Sequence, residues 1–253
     1  MDNAKFFAGL RARDSGVFGT SLSQAQVDGI NAIIDSCRRN RVTDSHHASN
    51  ILAQVYHETG AHMLGIKETV MPAHKDKNPS DATVIARLNA AFAAGRLSWV
   101  KTPYWRDGWF GRGPIQITHK PNYEKMGKRL GVNLVGNPGL ALDPKIGADI
   151  AVVGMSEGMF TGKRLWQYAF PAALNAAPAN NPRRIVNGQD GTDAKVAGYH
   201  RAFHKALIDA GWSAAAAPSA PDKPAPSPSP ASQSTPASPP GADPVPNSFF
   251  RWL

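Results

Sequence analysis

Several features that direct a chain to a membrane, a disulfide scaffold or a nucleic acid are absent from this sequence. Its 253 residues contain one cysteine, Cys37, which excludes an internal disulfide and a cysteine-based zinc site. No stretch of about 18 apolar residues occurs, and the first residues lack the apolar core of a signal peptide. There is also no block of about five Lys or Arg, no zinc-finger spacing and no RNA-binding aromatic motif. We therefore expect no stable membrane insertion and no nucleic-acid partner.

Proline is concentrated towards the carboxyl end. Residues 213–253 are rich in Ala, Pro and Ser and hold 11 of the 21 prolines. Such a composition buries too little apolar surface to fold, which favours a disordered linker or tail. The remaining residues, 1–212, are enough for one domain with a sizeable core.

Acidic residues are too few to balance the basic ones. The formal net charge is +9, and because the charges of the tail cancel, the whole excess lies on residues 1–212. A basic domain favours an anionic partner, which could be a cell envelope. The excess charge could equally serve solubility alone.

Apolar residues recur mainly at helical spacing. We predict helices after caps at Ser21 or Ser23, at Asp44 or Ser45, near Ser80 and near Thr192, and helices opened by Pro121 and Pro144. Gly60 should close the second helix as a left-handed residue. Cys37 falls on the buried stripe of the first helix. The chain is therefore expected to be mainly α-helical, with a small β element and long loops.

The best strand candidate is PIQIT, residues 114–118. Strand alternation would send Ile115 and Ile117 to one side and Gln116 and Thr118 to the other. The amide and the hydroxyl could then face a cleft and orient a water or an acetamido sugar.

The stretch HETG, residues 57–60, raises the question of a metal site. Zinc hydrolases place two histidines at i and i+4 on one helix face. His57 and His62 are five apart with Gly60 between them, so their side chains would diverge. We therefore expect no metal and no cofactor, and we interpret His62 and His74 as surface or capping histidines.

Glu58 has the position expected of a general acid. It continues the apolar stripe of its helix, so its carboxyl should face the core side. The carbonyls of the last helical turn and partial desolvation should both raise its pKa and keep it protonated near neutral pH. A protonated carboxyl suits acid catalysis. The alternative is a structural glutamate bonded to a neighbouring Arg or amide.

A glycosidase needs a second carboxylate, which in the inverting case stands ~6.5–9.5 Å from the acid. Glu68 lies ten residues after Glu58, beyond the glycine that ends the helix. Asp76 and Asp81 are possible substitutes, and Glu68 could also be a solvated loop charge. Aromatic residues that could stack on sugars or fill a core stand nearby: Trp99, Tyr104, Trp105, Trp109 and Phe110.

The order and spacing of four motifs resemble family 19 glycoside hydrolases, the chitinases and the related phage or bacterial endolysins. The motifs are HETG (57–60), GRGPIQITH (111–119) with NY at 122–123, RRIVNGQDG (183–191) and AGYHRAF (197–203). The resemblance covers most of residues 1–211 and leaves out the tail. It implies a lysozyme-like, two-lobed helical domain with a central cleft over residues 1–212.

The resemblance also implies an activity and its residues. The activity is hydrolysis of β-1,4 bonds between N-acetylated sugars, with inversion and without a metal. By position Glu58 matches the general acid, and the short spacing to Glu68 as base is similar to that of endolysin-type members. The implied substrate-binding residues are Gln116, Thr118, Tyr123, Asn187 and Trp105. Pro121 departs from the pattern, because many chitinases have a substrate-contacting aromatic there.

The substrate is either peptidoglycan or chitin. The basic charge favours peptidoglycan, whose envelope is anionic. The absence of a signal peptide agrees with an endolysin that is made in the cytoplasm and reaches the wall or periplasm through a holin or another non-classical route. We expect a monomer acting on a polysaccharide. A non-catalytic wall-binding module and a metal-dependent amidase are the alternatives.

Overall fold

A computed structural model describes residues 1–68 and 75–213, and these residues are mainly α-helical, as predicted. The helices are α1 (Asn3–Leu10), α2 (Gln24–Arg39), α3 (Ser45–Glu58), α4 (Asp81–Ala93), α5 (Lys120–Leu130), α6 (Pro144–Glu157) and α7 (Asp193–Asp209). Two short strands, β1 (Ile66–Lys67) and β2 (Arg112–Gly113), pair antiparallel. His74 and residues 214–253, where a surface histidine and a disordered tail were predicted, lie outside the described residues.

The predicted helix starts are confirmed at their caps. Ser23 accepts a hydrogen bond from the Gln26 amide and forms a capping box at α2. The side chains of Asp44 at α3 and Ser80 at α4 also accept hydrogen bonds from backbone amides of the first turn. The first helix, α1, was not predicted, because its eight residues contain only two that are buried, Phe6 and Leu10.

Helix α3 is the central helix of the larger core. Every residue from Ala48 to Glu58 is buried, and the helix packs along α7. Near the beginning of α3, the imidazole rings of His46 and His204 stack with their centroids 3.8 Å apart and so connect α3 to α7. Cys37 is also buried in this core, as expected, and burial raises the pKa of its thiol to about 12.

A second, smaller cluster of buried residues forms around α4, in agreement with the predicted division into two lobes. Its members are Val84, Leu88, Ala91, Leu97, Val100, Trp105 and Phe110. Asp81, the first residue of α4, joins this lobe to the sheet through ion pairs with Lys67 (2.8 Å) and Arg112 (2.9 Å). The sheet therefore lies at the junction of the two clusters.

The prediction of a strand over residues 114–118 was wrong. These residues form a tight turn after β2, in which Gly113 and Gln116 have positive φ values of 88° and 53°. The turn is stabilised because the Gln116 Nε2 amide donates to the carbonyls of Gly113 (2.7 Å) and Ile66 (2.8 Å). Ile115 and Ile117 enter the larger core.

Within residues 1–68 and 75–213, no helix has the length and apolar character needed to cross a bilayer.

Candidate active site

The site begins where α3 ends. Glu58 is the last residue of the helix, and Gly60, with φ of 57°, turns the chain away as predicted. The Glu58 side chain is completely buried. Burial raises the pKa of its carboxyl, in the predicted direction, although the nearby Arg183 guanidinium acts in the opposite sense.

Arg183 pairs with Glu58 inside the protein. Its Nη1 lies 2.6 Å from Glu58 Oε1, and both side chains have no exposed surface. The same Nη1 donates to Gln54 Oε1 at 2.7 Å. The guanidinium lies directly against the carboxyl, although neither carboxyl oxygen accepts a well-aligned hydrogen bond from the described residues. The arginine partner that the sequence left open as an alternative is therefore present.

Asp190 completes this buried charge network. Its Oδ2 accepts from Arg183 Nε at 3.0 Å and Nη2 at 2.7 Å. Burial alone would raise the pKa of Asp190, but the charge and hydrogen bonds of Arg183 and of Thr192 lower it to about 2. Arg183 thus lies between an ionised carboxylate and the carboxyl of Glu58.

The Glu58 carboxyl faces the core side, as predicted, and its burial is complete. The side chain itself is covered, but its neighbours His57 and Gly60 line a cavity of about 390 Å³. Glu58 itself does not line this cavity, so a substrate in the cavity reaches it only if the intervening side chains move.

Glu68 follows β1 directly and is held from two sides. Its Oε1 accepts from the Tyr104 hydroxyl and its Oε2 from the Gly111 amide, each at 2.8 Å. The residue is 9% exposed. Burial raises the pKa of Glu68, and the two donors and Arg112 oppose that rise. The structure thus places Glu68 in an ordered, partly accessible position instead of in a solvated loop.

The two substitutes for Glu68 have other roles. Asp81 is held in the ion pairs with Lys67 and Arg112; burial raises its pKa, but these partners lower it overall. Asp76 is exposed and accepts a hydrogen bond from the Asn78 amide, which stabilises a turn. Neither carboxylate has the donors that position Glu68.

Gln116 belongs to the turn after β2, and its side chain lies beside Glu68. Its Oε1 is buried and has no hydrogen-bond partner among the described residues. A Cβ added to Gly111 would lie 2.9 Å from this oxygen and 3.4 Å from Glu68 Oε2, so both oxygens face the same glycine. Thr118 in the same turn is 3% exposed. The carboxylate and amide oxygens together form a polar pair that could hold a water.

Asn187, also predicted to bind substrate, belongs to the network of Arg183. Its Nδ2 donates to Asp190 Oδ2 at 3.0 Å, and its Oδ1 accepts from the Gly188 amide at 2.8 Å. The residue is 5% exposed. Asn187 therefore positions the aspartate that faces Arg183.

The expectation that Trp105 and Tyr123 contact sugar needs correction. Both side chains have no exposed surface. The Trp105 indole donates to Asn89 Oδ1 at 3.0 Å within the smaller cluster, and the Tyr123 hydroxyl donates to the Phe110 carbonyl at 2.9 Å. A buried ring offers no face for stacking, so both residues serve the core.

The sequence did not identify three residues of the site: Arg183, Asp190 and Tyr104. The first two lie in the motif RRIVNGQDG, and an arginine and an aspartate seven residues apart are the signal that could have indicated a pair. Their connection to Glu58 depends on α3, which is about 125 residues away in the sequence. Tyr104 was noted only as one of several aromatic residues.

A comparison with known families gives the context of this arrangement. Residues 83–157 match the family described as chitinase class I. Over these residues the chain is similar to the chitinases of glycoside hydrolase family 19. The matched segment contains Gln116 and Thr118 and ends before Asn187, and it does not include Glu58 or Glu68.

Two of the similar proteins are plant endochitinases. The acidic 26 kDa endochitinase of Solanum lycopersicum is 43% identical over 67 residues, which are 25% of this chain and 26% of that protein. Acidic endochitinase pcht28 of Solanum chilense is 51% identical over 67 residues, again 25% of this chain and 26% of the relative. The chain thus spans about a quarter of the length of these relatives.

Among solved structures, chitinase C from Streptomyces griseus HUT6037 is similar at 20% sequence identity. The similarity covers 83% of this chain and 76% of that chain, with a TM-score of 0.44.

Proposed function

We propose that this protein is an endo-acting glycoside hydrolase that cleaves β-1,4 bonds between N-acetylated sugars with inversion. The observation that carries the proposal is the pair of positioned, buried carboxyls with raised pKa, Glu58 at the end of α3 and Glu68 after β1. The match of residues 83–157 to the chitinase class I family supports the same reaction class.

In the proposed mechanism the two carboxyls have different tasks. Glu58 in its protonated form gives a proton to the glycosidic oxygen, and the sugar–oxygen bond breaks. Glu68 as the carboxylate accepts a proton from a water, whose oxygen forms the new bond at the opposite face of the sugar. Arg183 then faces the Glu58 carboxylate that remains and stabilises it until it is protonated again.

We propose peptidoglycan as the polymer, on the basis of the domain charge. The protein would then act as a monomer at the wall or in the periplasm. Chitin is the second candidate, and it is favoured by the names of the relatives, which are endochitinases.

The test is to incubate the purified protein separately with peptidoglycan and with chitin oligomers and to identify new reducing ends by mass spectrometry. We expect cleavage between N-acetylated sugars, with the inverted anomer detected by NMR at early times. Binding without any new reducing end would favour the wall-binding module. Loss of cleavage on addition of a chelator would favour the amidase.

Replacing Tyr104 with phenylalanine should move the acidic limb of the rate profile. The base works as the carboxylate, so the rate falls as the pH falls through the pKa of Glu68. Loss of the hydroxyl donor removes a bond that favours the anion and therefore raises this pKa further. The pH dependence of kcat measures the shift.

The matched control is Tyr168→Phe, which removes a half-buried tyrosine hydroxyl that lies outside the site. Its acidic limb should coincide with that of the parent. If the acidic side of the pH dependence of kcat were the same in Tyr104→Phe as in the parent, the assignment of Glu68 as the base would be contradicted.

A further inference from the structure

The cavity beside Glu58 lies between the end of α3 and the beginning of α7. It measures about 390 Å³, and the side chains that give it its character are His57, Lys77, Lys195 and Tyr199. This volume is enough for a substituent on a sugar, such as a carboxylate group with its adjoining atoms.

The charged side chains that line the cavity are both positive. The lining contains two lysines and no carboxylate, and neither ammonium group forms an ion pair with the described residues. The nearest carboxylates of the site, Glu58 and Asp190, already face Arg183. No carboxylate of residues 1–68 and 75–213 pairs with either positive charge, and both charges favour an anion in the cavity.

An orphaned polar atom points to the same kind of ligand. His57 is 5% exposed, and its Nε2 is buried and has no hydrogen-bond partner among the described residues. Burial lowers the pKa of this imidazole to about 3, so the ring is neutral and either nitrogen can carry the proton. With the proton on Nε2, His57 can donate to an oxygen in the cavity once a small movement of the ring exposes that nitrogen. Leaving that nitrogen unpaired costs free energy that a ligand would restore.

We propose that this cavity is an anion subsite that takes a carboxylate attached to the amino sugar next to the cleaved bond. The inference rests on the proposed function, because it places the subsite beside the acid of that reaction. It names the substrate class as an acidic amino-sugar polymer. Two sources supply the carboxylate in such a wall, the lactyl group of bare muramic acid and the acids of the peptide attached to it.

The experiment compares the double variant Lys77→Gln/Lys195→Gln with Lys128→Gln/Lys145→Gln, which removes the same charge from exposed residues of α5 and α6. Three substrates are used: intact peptidoglycan, glycan strands freed of peptide by an amidase, and neutral N-acetylglucosamine oligomers. Thermal unfolding establishes that each variant is folded. The readouts are kcat and KM, and their dependence on NaCl concentration.

For the cavity variant we expect KM on the acidic polymers to rise about tenfold relative to KM on the neutral oligomers, with a weaker salt dependence. The control variant should keep the selectivity of the parent. An effect on peptide-free strands identifies the lactyl carboxylate, and an effect confined to intact peptidoglycan identifies the peptide. Equal changes on acidic and neutral substrates, or none, would overturn the proposal.

A failure of the proposed function would give a different experimental result from a failure of the anion subsite. If the parent protein hydrolyses none of the three substrates, the glycosidase assignment is wrong. Calorimetric binding of soluble muropeptides and of neutral oligomers then decides the subsite alone. We expect muropeptide binding that the cavity variant loses about tenfold. Equal affinity for the two ligands, or no binding, would overturn it.

Discussion

Replacing Glu58 with glutamine is expected to lower kcat by about 1,000-fold while polymer binding is kept, because a positioned general acid contributes about 10²- to 10⁴-fold. Glutamine has the shape of the protonated acid but no proton of suitable acidity to give. It also fills the buried space beside Arg183, so the fold should be retained. Initial rates and a sedimentation assay of polymer binding measure the two effects.

The matched control for this variant is Glu124→Gln. Glu124 is an exposed residue of α5 that lies 3.7 Å from Lys120 in a surface ion pair. Its loss should change kcat by less than about twofold, because exposed pairs contribute little. If a folded Glu58→Gln protein turned over substrate at the parent rate, the acid would have to be another residue.

Replacing Arg183 with alanine is expected to lower the free energy of unfolding by about 3–5 kcal/mol, since it leaves two buried carboxyl groups facing each other without a cation. For a domain of this size the melting temperature should fall by roughly 10 °C. Chemical denaturation at neutral pH gives the free energy, and circular dichroism gives the melting temperature.

Arg184→Ala serves as the comparison, because it removes an arginine from the same turn that forms no ion pair with the described residues. It should cost less than about 1 kcal/mol. Adding Glu58→Gln to Arg183→Ala should recover part of the loss, since one uncompensated charge disappears. Equal destabilisation by the two arginine variants would show that the buried network does not support the fold.

Most helices could be predicted because their signals are local. Ser23, Asp44 and Ser80 each cap a helix within three residues, and Gly60 ends α3 where its left-handed conformation is needed. The turn at residues 114–118 could not be predicted in this way. Its conformation depends on Gln116 bonding to Ile66, a residue of the other strand, and an alternating pattern carries no information about such a bond.

The two carboxyls of the site could be found from their motif, but their environments could not. Partial desolvation of Glu58 follows from helix periodicity, whereas its complete burial and its pairing with Arg183 follow from the packing of distant segments. The aromatic residues show the same limit. Composition cannot distinguish a ring that packs inside a lobe, such as Trp105, from one that holds a carboxylate, such as Tyr104.

Glu68 forms two hydrogen bonds with Gly111. The Glu68 amide donates to the Gly111 carbonyl at 2.7 Å, and the Glu68 carboxylate accepts from the Gly111 amide. Gly111, which precedes β2, therefore fixes both the backbone and the carboxyl of Glu68. A substitution that displaces the Gly111 backbone would accordingly move both groups together.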